Sequence, residues 1–284
     1  MSEKKTTALS QRMLEDLQLA GYAKSTQDSY LDAVRGLAKY YMKAPDLLSE
    51  DEVRGFFLYL LKERKAARST FTIYLSGIKF FFETTLQRKW SVFGITKPAK
   101  SKRLPVVLSR KEVRTLLKSI KNPGVKMALT IIYACGLRLS EGARLKVKDI
   151  DAGRNLLWVR DGKGMKDRCV PLPKRPLELL QGHYRLFGMR SEYLFPSGDS
   201  HINICTIQTA FRVAVRKSSI GKPATVHTLR HSYATHLLEN GEDICSLKEI
   251  LGHTNITTTN IYTHMTEMLT GRLGKSLNEL MSDL

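Results

Sequence analysis

H-T-L-R-H at residues 227–231, L-G-H at 251–253 and I-Y-T-H at 261–264 lie in one stretch whose reading decides the rest of the chain. The run L-R-H-S-Y-A-T-H-L-L reads as a helix closed by Asn240-Gly241, and in a helix His227 and Arg230, three apart, project from one face. Asp243 to Leu251 is expected to form a short amphipathic helix with Ile244, Leu247, Ile250 and Leu251 on one side, and Gly252 supplies a left-handed stop that aims His253. Thr257 offers an N-cap for a further turn or two of helix carrying Tyr262, nine residues after His253. A tyrosine among apolar neighbours is ordinarily core. Two histidines and an arginine so close to it change that reading: several positive donors around one hydroxyl suit an oxyanion or a phosphate, whose oxygens match the planar fork of arginine.

Working outward, the region before His227 reads as a mixed domain. It starts with a capping box, Ser109-Arg110-Lys111-Glu112, ahead of Val113, Leu116, Leu117 and Ile120. A buried helix follows, Met127 to Cys135, and Gly136 ends it. Next comes G-L-R-L-S-E, with Arg138 at the mouth of a short helix and Glu141 three residues on; a surface arginine paired with Glu141 is the plain alternative to a functional one. Residues 155–160 and 168–172 are expected to be strands flanking D-G-K-G-M-K-D, a hairpin that presents Lys163 or Lys166 at its tip. Helices at 173–187 and about 203–218 complete this part, and Leu269, Leu273, Leu277, Leu280 and Leu284 form a stripe on a C-terminal helix.

The first part reads as all helical. Residues 8–20 and 25–43 form two helices broken at Gly21, the second carrying Tyr30, Val34, Leu37 and Tyr41. A third opens with the capping box Ser49-Glu50-Asp51-Glu52 and is expected to bury Val53, Phe56, Phe57, Leu60 and Leu61. A fourth, about 68–86, carries Tyr74, Ile78, Phe81 and Phe82. Between the two parts, T-K-P-A-K-S-K-R-L-P at 96–105 has two prolines, a run of cations including Lys100, Lys102 and Arg103, and no apolar period, so it reads as a linker.

Composition narrows the class of partner. The chain has 284 residues, 42% of them hydrophobic, and a net charge of +19, which favours a polyanion such as nucleic acid. Up to residue 103 there are 19 Lys+Arg against 11 Asp+Glu, leaving 27 against 16, so both parts are basic, as suits a protein that grips a duplex from two sides. The four cysteines, Cys135, Cys169, Cys205 and Cys245, include no C-x-x-C pair and read as reduced core residues of a cytosolic protein. No apolar run reaches the length of a membrane span and the N-terminus lacks a signal core, so the expected location is the cytoplasm, on the nucleoid. There is no G-x-x-x-x-G-K-[ST], no H-E-x-x-H and no clustered carboxylates, so no cofactor and no metal are expected.

Taken in order, Arg138, Lys163, His227 with Arg230, His253 and Tyr262 resemble the signature of the tyrosine site-specific recombinases, which include phage integrases and the Xer recombinases of bacteria. The resemblance covers nearly the whole chain. It implies a mainly helical, two-domain fold with a small β-hairpin or sheet: a helical core-binding domain over 1–95, a linker at 96–105, and a mixed α/β catalytic domain over 106–284 with a C-terminal docking helix. It implies Tyr262 as nucleophile toward a DNA phosphate, Arg138, Arg230 and His253 on the nonbridging oxygens, His227 beside them, and Lys163 as general acid for the departing 5′ oxygen. The product would be a 3′-phosphotyrosyl link, resealed by a second strand's 5′ hydroxyl through a Holliday junction. By the same resemblance Lys62, Arg64, Lys65, Arg68 and Lys79 form a phosphate-contacting rim, where the residues alone also allow a solvated face, Lys166 touches phosphate or nothing, and four copies assemble on two duplexes; the leucine tail packs either on its own domain or, as the resemblance implies, on a neighbouring subunit. Two other readings remain beside this one: a type IB topoisomerase-like relaxase, which reseals the same strand, and a non-catalytic DNA-binding protein on the same scaffold. Neither the target site nor a partner recombinase is written in the sequence.

Overall fold

Each half contains a helix that opens with a capping box. Ser49 Oγ accepts from the Glu52 amide at 3.2 Å while the Glu52 carboxylate accepts from the Ser49 amide at 2.7 Å, and Ser109 and Glu112 repeat the exchange at 3.2 and 2.6 Å. The computed structural model describes residues 7–94, 104–160, 167–187 and 191–252, and the chain divides into two compact units, Met1–Lys102 and Arg103–Leu284.

The first unit is all helical: α1 (Ala8–Leu19), α2 (Lys24–Tyr41), α3 (Glu50–Lys62) and α4 (Arg68–Phe80). Its core is aromatic, with Phe56, Phe57, Phe71, Phe81 and Phe82 buried beside Met13, Leu17, Leu37 and Ile78. Each such side chain contributes about 1.5–3 kcal/mol on leaving water, so this core suffices to hold four short helices together. Two expectations need correction. The fourth helix does not run unchanged to residue 86: its last turn, Phe81–Thr85, widens to a π-helix and is tied to α1 where Thr85 donates to Asp16 Oδ2 at 2.7 Å. Leu61, expected in the core, is 38% exposed; it follows the Val53, Phe56, Phe57, Leu60 stripe by one residue, which turns it toward the edge, and α3 ends one residue later.

The second unit is built around α6 (Pro123–Ala134), which starts at Pro123 behind an Asn122 cap, earlier than the apolar run suggests, and buries Val125, Ala128, Leu129, Ile131 and Ile132. Against it pack α5 (Arg110–Ser119), α7 (Leu139–Ala143), α8 (Lys174–Phe187), α9 (Ile204–Lys217) and α10 (Val226–Glu239). The expected hairpin is the larger part of a three-stranded antiparallel meander, β1 (Ile150–Asp151), β2 (Leu156–Val159) and β3 (Arg168–Pro171), in register Leu157 to Val170 and Trp158 to Cys169. Leu157, Val159 and Val170 face the core, leaving Trp158 on the other side at 39% exposed. A second small hairpin, β4 (Pro196–Ser197) with β5 (Ser200–His201), precedes α9, and the chain then reaches α11 (Ile244–Leu251) through α10. Both β1 and the second hairpin are two residues per strand, too short for alternation to announce them.

The cysteines also need correction. All four are free, but only Cys135 is buried, its thiol pushed up to about 12 by burial. Cys205 and Cys245 are exposed in the first turns of α9 and α11, where Asn203 and Asp243 cap their amides and the apolar stripe faces away. Among the described residues, no helix is long and apolar enough to cross a membrane.

Candidate active site

The end of α6 and the start of α7 are joined by a tight passage. Gly136 has φ +59°, and a Cβ there would stand 2.4 Å from the Tyr233 ring, so only glycine fits both the backbone and the space. The turn delivers Arg138 as the residue that precedes α7. Its backbone amide and its Nη1 donate to the Glu141 carboxylate, both at 2.7 Å, so the pairing weighed from sequence is present. It is not a surface pair: the side chains of Arg138 and Glu141 are 20% and 6% exposed.

Arg230 comes from the first turns of α10 and is buried. Nη1 donates to the Gly136 carbonyl at 2.6 Å and Nη2 to the Leu251 carbonyl at 2.5 Å, so one guanidinium ties the α6–α7 turn to the end of α11. Arg138 reaches the same end, its Nη2 donating to the Gly252 carbonyl at 3.1 Å. These acceptors are among the last carbonyls of α11, which have no partner within the helix and carry the negative end of its dipole. Arg138 and Arg230, from different elements, are thus held at one place by the same helix terminus.

A third arginine completes the arrangement. Arg168, first residue of β3, places Nη1 and Nη2 on the two Glu141 oxygens at 2.9 and 2.7 Å and Nε on the Ile250 carbonyl at 2.9 Å. Gly252, at φ +60°, stops α11, and a Cβ there would stand 2.9 Å from Arg168 Cδ. Burial by itself raises the Glu141 carboxyl, but hydrogen bonds from Arg168 and from the Arg138 amide and guanidinium outweigh it and hold the group at about 2.

His227, on the first turn of α10, presents its ring to solvent beside these charges. Partial desolvation, then the cationic Arg230 and Arg138, push its pKa down, leaving it neutral at pH 7 and able to accept a proton. One residue after Arg230, His231 is more enclosed and lowered to about 4, first by burial and then by His227 and Arg230. The site is therefore cationic on one side and carries a neutral base on the other, an arrangement suited to an anion that reacts by proton transfer. Among the described residues, no group of three or more His, Cys, Asp or Glu could hold a metal ion.

Of the six residues expected in the site, Arg138, His227 and Arg230 come together here, while Lys163, His253 and Tyr262 lie outside the described residues, as do Lys100, Lys102, Arg103, Lys166 and the C-terminal leucines. In the first unit, Lys62, Arg64 and Lys65 are exposed and Arg68 half-buried around the α3–α4 turn. Arg64 is engaged there, donating to the Tyr74 hydroxyl at 3.2 Å with its guanidinium over the ring. Lys79 stands apart from that group, three turns along α4, with Glu83 3.7 Å away. Sequence reading overlooked Arg168, although its alternation with Val170 on β3 marks a charge pointing inward. It also overlooked the open cleft beside α7, where Arg144, Lys146, Lys148 and Arg160 surround Trp158 and Tyr193.

Comparison with known proteins places these features. The phage integrase family profile matches residues 106–268, and that of the phage integrase N-terminal SAM-like domain matches residues 9–92. The chain is 35% identical over 259 residues to the tyrosine recombinase XerD of Listeria innocua, covering 84% of each protein. Among solved structures, it is similar to that of XerA recombinase, at 27% identity and TM-score 0.53 over 93% of this chain and 98% of that one. The fold is also that of a lambda integrase dimer bound to a COC′ core site, at 19% identity and TM-score 0.71 over 90% of this chain and 76% of that one. With a family match over more than half its length and a tyrosine recombinase 35% identical over 84% of it, the chain belongs to the phage integrase family, the tyrosine site-specific recombinases.

Proposed function

We propose that the DNA strand exchange of this recombinase runs on Arg138, Lys163, His227, Arg230, His253 and Tyr262. The observation that carries the reading is the pair of arginines held on the Gly252 and Leu251 carbonyls, one and two residues ahead of His253 in the sequence, with neutral His227 beside them. A phosphodiester entering this cationic site would take donors from Arg138, Arg230 and His253 on its nonbridging oxygens, each fixed donor lowering the barrier by about 3 kcal/mol. A free phenol with pKa near 10 is ionised in roughly one molecule in a thousand at pH 7, a deficit of about 4 kcal/mol. The fixed positive charge offsets that deficit, and His227 is poised to take the Tyr262 proton during attack. Lys163 protonates the departing 5′ oxygen, and attack by another strand's 5′ hydroxyl reverses the step, conserving the bond energy in the 3′-phosphotyrosyl link without a nucleotide cofactor.

DNA is the partner this charge distribution fits. The solved relatives include a lambda integrase described with its core-site DNA, and the cations around the α3–α4 turn, in the linker and in the cleft beside α7 supply phosphate contacts. The protein works in the cytoplasm on the nucleoid. Four copies assemble on two duplexes, with the leucines after Tyr262 docking on a neighbouring subunit and a partner recombinase able to fill alternate places.

Two experiments test this. Sequencing DNA recovered covalently bound to the protein identifies its site, and a nicked duplex carrying that site then traps the adduct. Tyr262→Phe is expected to abolish the adduct while leaving DNA binding within about twofold, since only the nucleophilic oxygen is lost; an adduct of full yield mapped to another residue would overturn the assignment. Ending the chain after Gly271 should leave single-site binding and abolish synaptic complexes, whereas normal recombination by the truncated protein would place the subunit interface elsewhere.

A further inference from the structure

We infer that Arg168 is a positioning residue of the recombinase site, one that keeps the Arg138 charge available to the DNA phosphate by taking a share of Glu141. The inference rests on the role proposed for Arg138.

Three arginines from three separate places, β3, the residue before α7, and α10, donate to three consecutive carbonyls at the end of α11, those of Ile250, Gly252 and Leu251 respectively. They differ in what remains for a substrate. Every nitrogen of the Arg168 guanidinium has a partner inside the protein, two on Glu141 and one on Ile250, and its side chain is 10% exposed. Arg168 is thus committed to Glu141 and to the end of α11, and its part in the site is to hold those groups. Arg138 is twice as exposed and shares only one side-chain nitrogen with the carboxylate.

Charge arithmetic shows what the sharing does. A buried carboxylate facing Arg138 alone would form a neutral pair, and an arginine neutralised at close range attracts a phosphate weakly. With Arg168 on both carboxylate oxygens the three groups sum to one positive charge. Glu141 then orients Arg138 through its amide and Nη1 without cancelling it. Arg168 Nε meanwhile holds the Ile250 carbonyl, one residue before the Leu251 carbonyl that fixes Arg230, so the same side chain steadies the helix end on which both phosphate-binding arginines rest.

The test measures single-turnover cleavage of the nicked duplex described above, with either its ordinary scissile phosphate or a methylphosphonate in its place, which carries no negative charge. Arg168→Met should slow cleavage of the ordinary substrate by about tenfold to a hundredfold, less than the loss of a direct donor, with DNA affinity within about twofold. On the methylphosphonate, where the Arg138 charge has no anion to meet, the defect should shrink to about threefold or less; a general disturbance of the fold would slow both substrates alike. Adding Glu141→Gln to Arg168→Met should recover much of the lost rate, because it removes the charge that would otherwise neutralise Arg138. Arg168→Lys, which keeps the positive charge, should stay within about fivefold of the wild type and provides the comparison if Arg168→Met does not fold. A folded Arg168→Met cleaving at wild-type rate, a double variant no faster than Arg168→Met, or an Arg168→Lys as slow as Arg138→Ala would each overturn the inference. Arg138→Ala is run alongside: if it cleaves normally the site reading itself fails, whereas a slow Arg138→Ala with unaffected Arg168 variants removes only the part assigned to Arg168.

Discussion

Both units of this chain carry exposed ion pairs, but among the described residues only the second also holds a buried cluster of arginines around a carboxylate. In the helical unit the ion pairs are exposed and local: Arg35 with Asp32, Lys43 with Glu52, Lys79 with Glu83, all with side chains at least three-tenths exposed. Such pairs contribute about 0–1 kcal/mol each and are screened by salt, so stability there comes from the aromatic core. In the second unit Arg138, Glu141, Arg168 and Arg230 are mostly buried, and each bonds to a backbone group or an ionic partner from another element. Charges of the first kind can trade partners for phosphates at little cost. Those of the second kind are fixed before substrate arrives, which catalysis requires of groups that must not reorganise in the transition state.

The sharpest way to break the comparison is Arg230→Ala. It orphans the Gly136 and Leu251 carbonyls and removes a donor in the site, so cleavage is expected to fall by about a hundredfold or more and the second unit to lose about 2–4 kcal/mol of stability. Adduct formation and denaturant unfolding measure the two effects. An Arg230→Ala as stable as the wild type would mean the guanidinium is not a structural tie.

Acid provides a smaller and separable effect. The Glu141 carboxyl sits at about 2 in the folded protein against 4.5 as its ordinary value. A lowered carboxyl stabilises fully above its unfolded value, so this contribution, on the order of 3 kcal/mol, is present above about pH 4.5 and is lost as pH falls toward 2. The chain has two tryptophans, Trp90 in the first unit and Trp158 in the second. Trp158→Phe and Trp90→Phe each leave a reporter for one unit. Glu141→Gln should flatten the acid sensitivity seen by Trp158 and leave that seen by Trp90 unchanged.

The smallest effect belongs to the exposed cations. Lys62→Ala and Lys65→Ala should each alter stability by less than about 0.5 kcal/mol. If each lysine neutralises one phosphate, each substitution lowers the slope of log K against log salt by about 0.9 in magnitude. Binding titrations across salt concentrations check this, and an unchanged slope would remove that lysine from the DNA rim.

Much of the fold was legible in advance, for reasons visible in particular residues. Capping boxes at Ser49 and Ser109, the Val53–Leu60 stripe and the Gly252 stop are local signals, carried by residues a turn or two apart, and they mark where helices begin, end and bury their faces. The two-residue strands left no such mark, because pairing of that length depends on what packs beside it. Leu61 and the exposed cysteines show the same limit: residue type states a preference, while the position on the packed element decides exposure.

By itself, then, the sequence determined the order of the main helices and of the hairpin strands β2 and β3, the basic balance of both halves, and the set of residue types that suggests a phosphate-directed tyrosine. Only the tertiary structure decided that the Arg138–Glu141 pair is buried, that Arg168 shares that carboxylate, and that the last carbonyls of α11 gather three arginines. The physical reason is range. Helix propensity and capping act over a few neighbouring residues, but a guanidinium that finds its acceptor 82 or 114 residues away in the chain does so through the packing of whole elements, which no local pattern encodes.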